Sequence, residues 1–172
     1  MFPIMAILPI RYLPDPILRE RAKRVPAIDA SIRRLIDDMI ESMYAANGVG
    51  LAAPQVGVSL RVIVIGMPEE EPFALINPEI VKVTGERTVD EGCLSVPGYR
   101  AEVSRHRVSI ARGLTPEWKE VRIKARDDLL AQALEHEIDH INGILYIDHL
   151  PSLDVLEKVE RAEPHAPRER TG

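Results

Sequence analysis

The stretch from Leu134 to Gly143 reads Leu-Glu-His-Glu-Ile-Asp-His-Ile-Asn-Gly and contains the pattern His136-Glu137-x-x-His140. Residues four apart on an α-helix lie on the same face, so the two imidazoles are placed to hold one metal ion. Glu137 lies beside them, within reach of a proton on a metal-bound water. The flanks make this helix apolar around much of its circumference, which predicts that it is buried: Leu130, Ala131, Ala133, Leu134, Ile138 and Ile141.

The composition indicates an ordinary globular protein. The chain has 172 residues, which fits one domain, and its net charge of −5 argues against a nucleic-acid-binding domain. Its single cysteine, Cys93, excludes an intrachain disulfide and predicts a reduced, cytoplasmic setting. No apolar run approaches the roughly 20 residues that span a bilayer, so we expect no membrane partner. The apolar N-terminus lacks a basic region and is predicted to be a strand or extended arm rather than a signal peptide.

Two helices are predicted. The first begins after Asp29 or Ser31 and ends near Asn47-Gly48, with one apolar stripe at helical spacing: Ile32, Leu35, Ile36, Met39, Ile40 and Met43. The second is the metal helix, capped by Asp127 or Asp128 and ending near Ile141, before an Asn-Gly C-cap.

The segments between the helices favour short strands. We expect strands over 60–65, over 73–83, up to Asp90, and at three places between Tyr99 and Ala125, with a tight loop at 48–55. After the metal helix, 146–150 is predicted to be extended and 153–159 to be a short helix. The fold class is therefore α+β, with short, mostly antiparallel strands packed around a central metal-binding helix and an N-terminal amphipathic helix.

The third metal ligand has several candidates on sequence grounds. A metzincin would need a further histidine six residues past His140, but that position is Tyr146. A thermolysin-like site would take a glutamate from a later helix, such as Glu157 or Glu160. Cys93 is the remaining candidate, preceded by a glycine that lets the backbone bend near a ligand.

Three segments, taken in order, resemble the signature motifs of one enzyme family. They are Gly-Val-Gly-Leu-Ala-Ala-Pro-Gln at 48–55, Glu-Gly-Cys-Leu-Ser at 91–95, and His-Glu-Ile-Asp-His at 136–140 with Gly143. Together they closely resemble the peptide deformylases, and the bacterial enzymes more than the organellar ones. The resemblance implies one catalytic domain over residues 1–160. The segment 161–172 has prolines and arginines and no apolar anchor, so it is expected to be a disordered tail.

The resemblance implies a role for each matching residue. Cys93, His136 and His140 would bind the metal, and Glu137 would act as general base and then acid. The side-chain amide of Gln55 and the backbone N–H of Leu94 would stabilise the developing oxyanion. The positions that would contact the substrate are Val49, Gly50, Gly92, Arg100, Gln132 and Ala133.

The implied reaction is removal of the formyl group from the N-terminal formyl-methionine of a newly made polypeptide, with hydroxide from the metal-bound water attacking the formyl carbon. The resemblance implies one divalent metal, Fe²⁺, which Ni²⁺, Co²⁺ or Zn²⁺ could replace. The partner is the nascent chain, and the arginines of the tail leave a transient ribosome contact open. No specific DNA contact is expected.

Some residues depart from the family pattern or stand beside it. Glu135 replaces a glutamine and is expected to be solvated. If the polar side chain of Gln132 faces the methionine pocket, it would alter the preference for the first side chain of the substrate. Asp139 is expected to form a structural ion pair, Glu91 is expected to pair with Arg105, and Ser95 is expected to close a turn. A binding protein with a structural metal and a protease using Glu160 remain as alternatives.

Overall fold

The computed structural model describes residues 6–159 and contains two α-helices and eight strands in that range. The helices are α1 (Ala30–Ala45) and α2 (Leu129–Ile141). The strands are β1 (Gly50–Ala52), β2 (Val62–Ile65), β3 (Phe73–Thr84), β4 (Arg87–Cys93), β5 (Val96–Arg105), β6 (Val108–Leu114), β7 (Glu120–Arg126) and β8 (Glu157–Lys158).

A five-stranded sheet in the order β1-β2-β3-β6-β7 lies between the two helices. Side chains alternate between the faces of a strand, and β2 uses this alternation to serve both helices. Ile63 and Ile65 pack in the cluster of α2, whereas Val62 and Val64 pack in the cluster of α1. All four residues are fully buried, which explains why β2 reads as an uninterrupted apolar run.

A second sheet, in the order β4-β5-β8, carries Cys93 at the end of its first strand. Strands β4 and β5 form an antiparallel hairpin in which Glu91 opposes Ala101 and Cys93 opposes Val96. The register shifts between Glu91 and Cys93, so the end of β4 departs from regular pairing where the motif lies.

The ends of α2 are fixed by polar groups. The Asp128 side chain accepts a hydrogen bond from the Ala131 N–H at 2.8 Å and caps the first turn. At the other end, Gly143 adopts a positive φ of 75°, and the Arg61 guanidinium donates to the Ile141 carbonyl at 3.0 Å. A buried helix is therefore held at both termini, which fixes the direction of the side chains it carries.

The predicted fold class is confirmed, since within residues 6–159 the strands of both sheets pair antiparallel and α2 packs against the larger sheet. Asp29 and Asp128 are the N-caps among the predicted alternatives. The segment predicted as a tight loop contains the short strand β1 and a 3₁₀ turn, Ala53–Val56.

Two predictions after α2 are wrong. Residues Tyr146–His149 form a 3₁₀ turn rather than an extended segment, because the Asp148 carboxylate accepts from the Leu145 N–H and closes the turn. In place of the predicted terminal helix, a short 3₁₀ turn at Leu153–Val155 leads into β8, which pairs with the open edge of β5.

Part of the predicted N-terminal arm, the predicted tail over 161–172 and the candidate ligand Glu160 lie outside the described residues. None of the helices over residues 6–159 has the length and apolar character needed to cross a membrane.

Candidate metal centre

Three donor atoms from two elements converge beside the cleft. The Nε2 atoms of His136 and His140 are 3.2 Å apart, the Cys93 Sγ lies 3.2 Å from the His140 Nε2, and all three donors lie within 4.8 Å of one another. A tetrahedral ion at about 2.0–2.1 Å from nitrogen and 2.3 Å from sulfur places its ligands about 3.3–3.6 Å apart. The donor set and its spacing therefore fit one divalent metal ion with a thiolate ligand.

The second ring nitrogen of His136 is held by a carboxylate. Its Nδ1 forms a short hydrogen bond with Glu91, which is 3% exposed. Burial alone would raise the pKa of Glu91, but hydrogen bonds from His136 and Arg105 lower it to about 2. A carboxylate on Nδ1 leaves Nε2 free and increases its basicity, so the contact with Glu91 would orient His136 if it binds a metal ion.

Arg105 is the buried cation behind this carboxylate. It is 2% exposed and donates to both oxygens of Glu91 and to Asp139 at 2.8 Å. The predicted ion pairs of Glu91 with Arg105 and of Asp139 are thus confirmed. The carboxylate of Glu135 lies 4.0 Å from the same guanidinium.

The expectation that Glu135 is solvated is wrong. Its side chain is 9% exposed and accepts hydrogen bonds from the Ser109 hydroxyl at 2.5 Å and from the His106 N–H at 3.1 Å. These donors replace water around the charge, which is why a carboxylate is tolerated one residue before His136.

Glu137 faces the donors from the same helix. Its Oε1 lies 3.8 Å from the His136 Nε2, and within the described part of the chain its buried Oε2 has no hydrogen-bond partner. Burial raises the pKa of Glu137 to about 7, with the nearby charge of His136 opposing the rise. A carboxyl with this pKa and an unoccupied oxygen can take up and release a proton near neutral pH.

Gly50 makes room for Glu137. A Cβ added at Gly50 would lie 2.9 Å from the Glu137 Cγ and 3.0 Å from its Oε1. The residue that packs most closely against Gly50 is therefore the catalytic candidate on α2.

Gln55 lies beside the Cys93 sulfur, in the 3₁₀ turn after β1. Its Nε2 is 3.7 Å from the Cys93 Sγ and donates to the Ser95 hydroxyl at 3.1 Å. The side chain is 1% exposed, so its amide is presented to the centre without competition from bulk water.

A cleft of about 710 Å³ opens over these groups. Of the predicted site residues, His140 lies behind the cleft wall and the others line it: Val49, Gly50, Gln55, Gly92, Cys93, Leu94, Arg100, Gln132, Ala133, His136 and Glu137. A cavity of this size suits a short peptide segment.

Two cleft residues are tied to β4. Arg100 donates to the Asp90 carboxylate at 2.8 Å, and the Gln132 amide donates to the Asp90 carbonyl at 3.1 Å and to Glu91 at 3.2 Å. The polar end of Gln132 is thus turned toward β4.

Two contributors were not singled out from the sequence, and a third, Ser95, lies in the turn that it was expected to close. The ring of Tyr146 stacks near His136 at a centroid distance of 6.4 Å, His149 contacts Asp139 at 2.8 Å, and Ser95 contacts Gln55. His149 and Tyr146 belong to the turn that was predicted as extended, so sequence periodicity gave no signal of their position.

Comparison with known proteins gives concordant matches. The family model for polypeptide deformylase matches residues 7–155. A peptide deformylase of Dehalococcoides mccartyi strain CBDB1 is 56% identical over 156 residues, which are 90% of this chain and 93% of that protein.

Solved structures are similar over most of the chain as well. A peptide deformylase from Legionella pneumophila superposes with a TM-score of 0.83 at 48% identity, covering 86% of this chain and 88% of that one. A Met-Ala-Ser-bound class I type b peptide deformylase from Acinetobacter baumannii gives a TM-score of 0.82 at 32% identity, covering 86% of this chain and 100% of that one.

Proposed function

This chain belongs to the polypeptide deformylase family, and on that premise we propose how its own residues carry out the reaction. It is a peptide deformylase, a metal-dependent hydrolase that removes the N-formyl group from newly made polypeptides. The observation that carries the assignment of roles is the convergence of Cys93, His136 and His140 beside Glu137 in one cleft.

Cys93, His136 and His140 would hold the metal, which we propose to be Fe²⁺ in the cell. When bound, the ion would supply Lewis acidity to the formyl carbonyl and make hydroxide available at neutral pH. A thiolate favours softer ions, so Ni²⁺, Co²⁺ or Zn²⁺ should also fit, and the ferrous form should be sensitive to oxidation.

Glu137 would move the proton. Its free Oε2 would accept a proton from the attacking water and then deliver it to the nitrogen of the leaving amine. Burial raises the pKa of Glu137, which favours uptake of the proton by a carboxylate that must gain and lose it in each turnover.

Gln55 and Leu94 would stabilise the negative charge that develops on the formyl oxygen. The Gln55 Nε2, already beside Cys93, would donate from one side, and the backbone N–H of Leu94 from the other. Loss of one such donor in other enzymes reduces kcat about 10²- to 10³-fold.

The remaining cleft residues would bind the peptide. Gly50 and Gly92 leave the cleft floor open, whereas Val49 and Ala133 give it apolar walls. The aliphatic part of Gln132 would join these walls, and Arg100 would lie at the mouth.

The cleft would bind a formyl-methionyl nascent polypeptide in the cytoplasm as that polypeptide leaves the ribosome. The enzyme would contact the ribosome transiently. No membrane or specific DNA partner is part of the proposal.

A protease using a glutamate as the third ligand is the competing enzyme class. Glu157, the described candidate, is exposed on β8, whereas Cys93 lies 3.2 Å from the His140 Nε2. Glu137 argues against a second alternative, a binding protein with a purely structural metal. A structural site fills the fourth coordination position of the metal with a protein ligand and has no need of a free base beside it.

The test uses formyl-Met-Ala-Ser with nickel-loaded protein and follows formate and peptide products separately. We expect one formate for each Met-Ala-Ser, with no cleavage between residues of the peptide. Cys93→Ala should lose bound metal and turnover, whereas Glu157→Ala should retain both. Internal cleavage, or loss of metal in Glu157→Ala rather than Cys93→Ala, would support the protease instead.

A further inference from the structure

We propose that Ser95 is a positioning residue, whose buried hydroxyl sets the rotation of the Gln55 amide so that one amide N–H faces the reacting formyl oxygen. The inference rests on the role proposed above for Gln55. Ser95 itself touches neither substrate nor metal in this account.

The Gln55 amide is held at both ends. Its Oε1 accepts a hydrogen bond from the Ala52 backbone N–H at 3.0 Å, and its Nε2 donates to the Ser95 Oγ at 3.1 Å. A backbone N–H can only donate, so the first bond identifies the oxygen end and leaves the nitrogen end toward Ser95. Gln55 and Ser95 are 1% and 0% exposed, so water does not offer either end an alternative.

The bond to Ser95 determines where the second amide hydrogen points. The two hydrogens of an amide nitrogen lie in one plane at a fixed angle, so committing one fixes the other. The Nε2 atom also lies 3.7 Å from the Cys93 Sγ, on the side of the metal donors. The second N–H is therefore directed at the Cys93 Sγ, to which it makes a long hydrogen bond, and so faces the centre where an oxyanion donor must be.

The backbones of the two residues are held together by a separate contact. The Arg11 N–H donates to the Gln55 carbonyl at 2.7 Å, and the Leu13 N–H donates to the Ser95 carbonyl at 3.1 Å. Arg11 and Leu13 thus hold both motif segments through backbone hydrogen bonds. The side chains of Gln55 and Ser95 take no part in these bonds. Removal of the Ser95 hydroxyl should therefore release the amide and leave the two segments in place.

Without that hydroxyl, a buried N–H of Gln55 would have no acceptor. An unsatisfied buried donor is costly, so the amide would turn to seek another partner and its other N–H would leave the catalytic direction. The oxyanion forms only in the transition state. Loss of its stabilisation by the Gln55 N–H should therefore lower kcat more than it changes KM.

The experiment is a double-mutant cycle on formyl-Met-Ala-Ser hydrolysis at equal, measured nickel content. Ser95→Ala should lower kcat about tenfold and change KM less than about twofold. Gln55→Ala should lower kcat about 10²- to 10³-fold, and Ser95→Ala should have no further effect in that background. Ser42→Ala is the matched control, because Ser42 is a 1% exposed serine whose hydroxyl donates to the Asp38 carbonyl and accepts from the Leu8 N–H. None of these three residues lines the cleft, so this variant should leave kcat unchanged.

A second readout does not depend on turnover. In ¹H–¹⁵N spectra, the two side-chain amide protons of Gln55, assigned by their loss in Gln55→Ala, should differ strongly in chemical shift. The difference should narrow in Ser95→Ala and persist in Ser42→Ala.

The proposal is overturned if Ser95→Ala lowers kcat by the same factor with and without Gln55, or if the amide spectrum is unchanged. It is also overturned if Gln55→Ala retains full turnover, because then there is no oxyanion donor to position. Absence of turnover in the wild type would instead refute the proposed function. The amide spectrum would still show whether the Ser95 hydroxyl holds the Gln55 amide.

Discussion

Arg105 is the residue around which the charges of the centre are balanced. It is 2% exposed, bonds to Glu91 and Asp139, and lies 4.0 Å from the Glu135 carboxylate. Buried carboxylates require a paired cation. Without one, the free-energy cost of removing their charge from water would exceed the free energy gained from local contacts. Arg105 therefore supports His136 indirectly, by keeping Glu91 ionised on its Nδ1.

Replacement of the Arg105 cation should weaken both the folded state and metal binding. Arg105→Met should lower the free energy of unfolding by about 3–5 kcal/mol, because it strands buried carboxylates. Metal affinity should fall about 10- to 100-fold through the loss of Glu91 orientation. Urea titration and competition with a chelator measure the two effects.

Arg112→Met is the control for that measurement, because Arg112 is half exposed and pairs with Glu79 on the sheet surface, away from the cleft. Arg112→Met should change neither the free energy of unfolding nor the metal affinity appreciably. Unchanged metal affinity in Arg105→Met would contradict the link from Arg105 through Glu91 to His136.

At the scale of elements, the centre forms where α2, β1 and the end of β4 meet. The sequence indicated α2 well, since the four-residue spacing and the apolar flanks both depend on local helix geometry. The 3₁₀ turn at Tyr146–His149 could not be read in the same way, because it has no repeating pattern. Besides its backbone hydrogen bonds, it depends on the Asp148 carboxylate, which accepts from the Leu145 N–H. The burial of Glu135 also depends on donors from β6 and the turn before it, which are distant in sequence.

The junction of β1 with α2 has no room for a side chain at Gly50. In Gly50→Ala, the new methyl would lie 2.9 Å from the Glu137 Cγ and would push the base out of place. We expect kcat/KM to fall at least about tenfold, with metal content retained, since the ligands themselves are not displaced.

Gly113→Ala is a matched control in β6, where the nearest atom, the Pro78 Cα, would be 3.3 Å from the new Cβ. It should cost some thermal stability and leave turnover per folded protein unchanged. Wild-type kcat/KM in Gly50→Ala would contradict the close contact with Glu137.

Across the whole molecule, the fold brings together two proposed metal ligands that are 47 positions apart, Cys93 at the end of β4 and His140 on α2. Spacing within α2 could predict two ligands, whereas the third depended on family resemblance, because no local pattern specifies which strand end meets the helix. The segment after α2 also closes back on the N-terminal region. There, Arg19 donates to Asp148 at 2.5 Å and joins the turn at Pro16–Arg19 to the turn at Tyr146–His149.

This closure predicts a dependence of stability on pH. Burial alone would raise the pKa of Asp148, but hydrogen bonds from Arg19 and the Leu145 N–H outweigh it and lower the pKa. A carboxyl with a lowered folded pKa stabilises the protein above its unfolded pKa of about 4, and that contribution is lost as the pH falls through the folded value.

Asp148→Asn should therefore melt below the wild type at pH 7, and the difference should shrink as the pH falls below about 4. The pair is partly exposed, so the effect at pH 7 should be at most about 1 kcal/mol. Thermal melts of both proteins in chelator compare them at equal metal loss. A difference that stays constant from pH 7 to pH 3 would show that the charge of Asp148 does not contribute.

The proposed mechanism requires that Cys93, His136 and His140 hold the metal and that Glu137 act with it as the base to hydrolyse a formyl amide. Its most direct test is the rate of formate release from formyl-Met-Ala-Ser by the wild type and by Glu137→Gln at equal nickel content. Gln keeps the size of the side chain and removes its ability to take a proton, so we expect metal binding to persist and kcat to fall about 10²- to 10⁴-fold. Wild-type protein that releases no formate, or a variant that works within tenfold of it, would contradict the account.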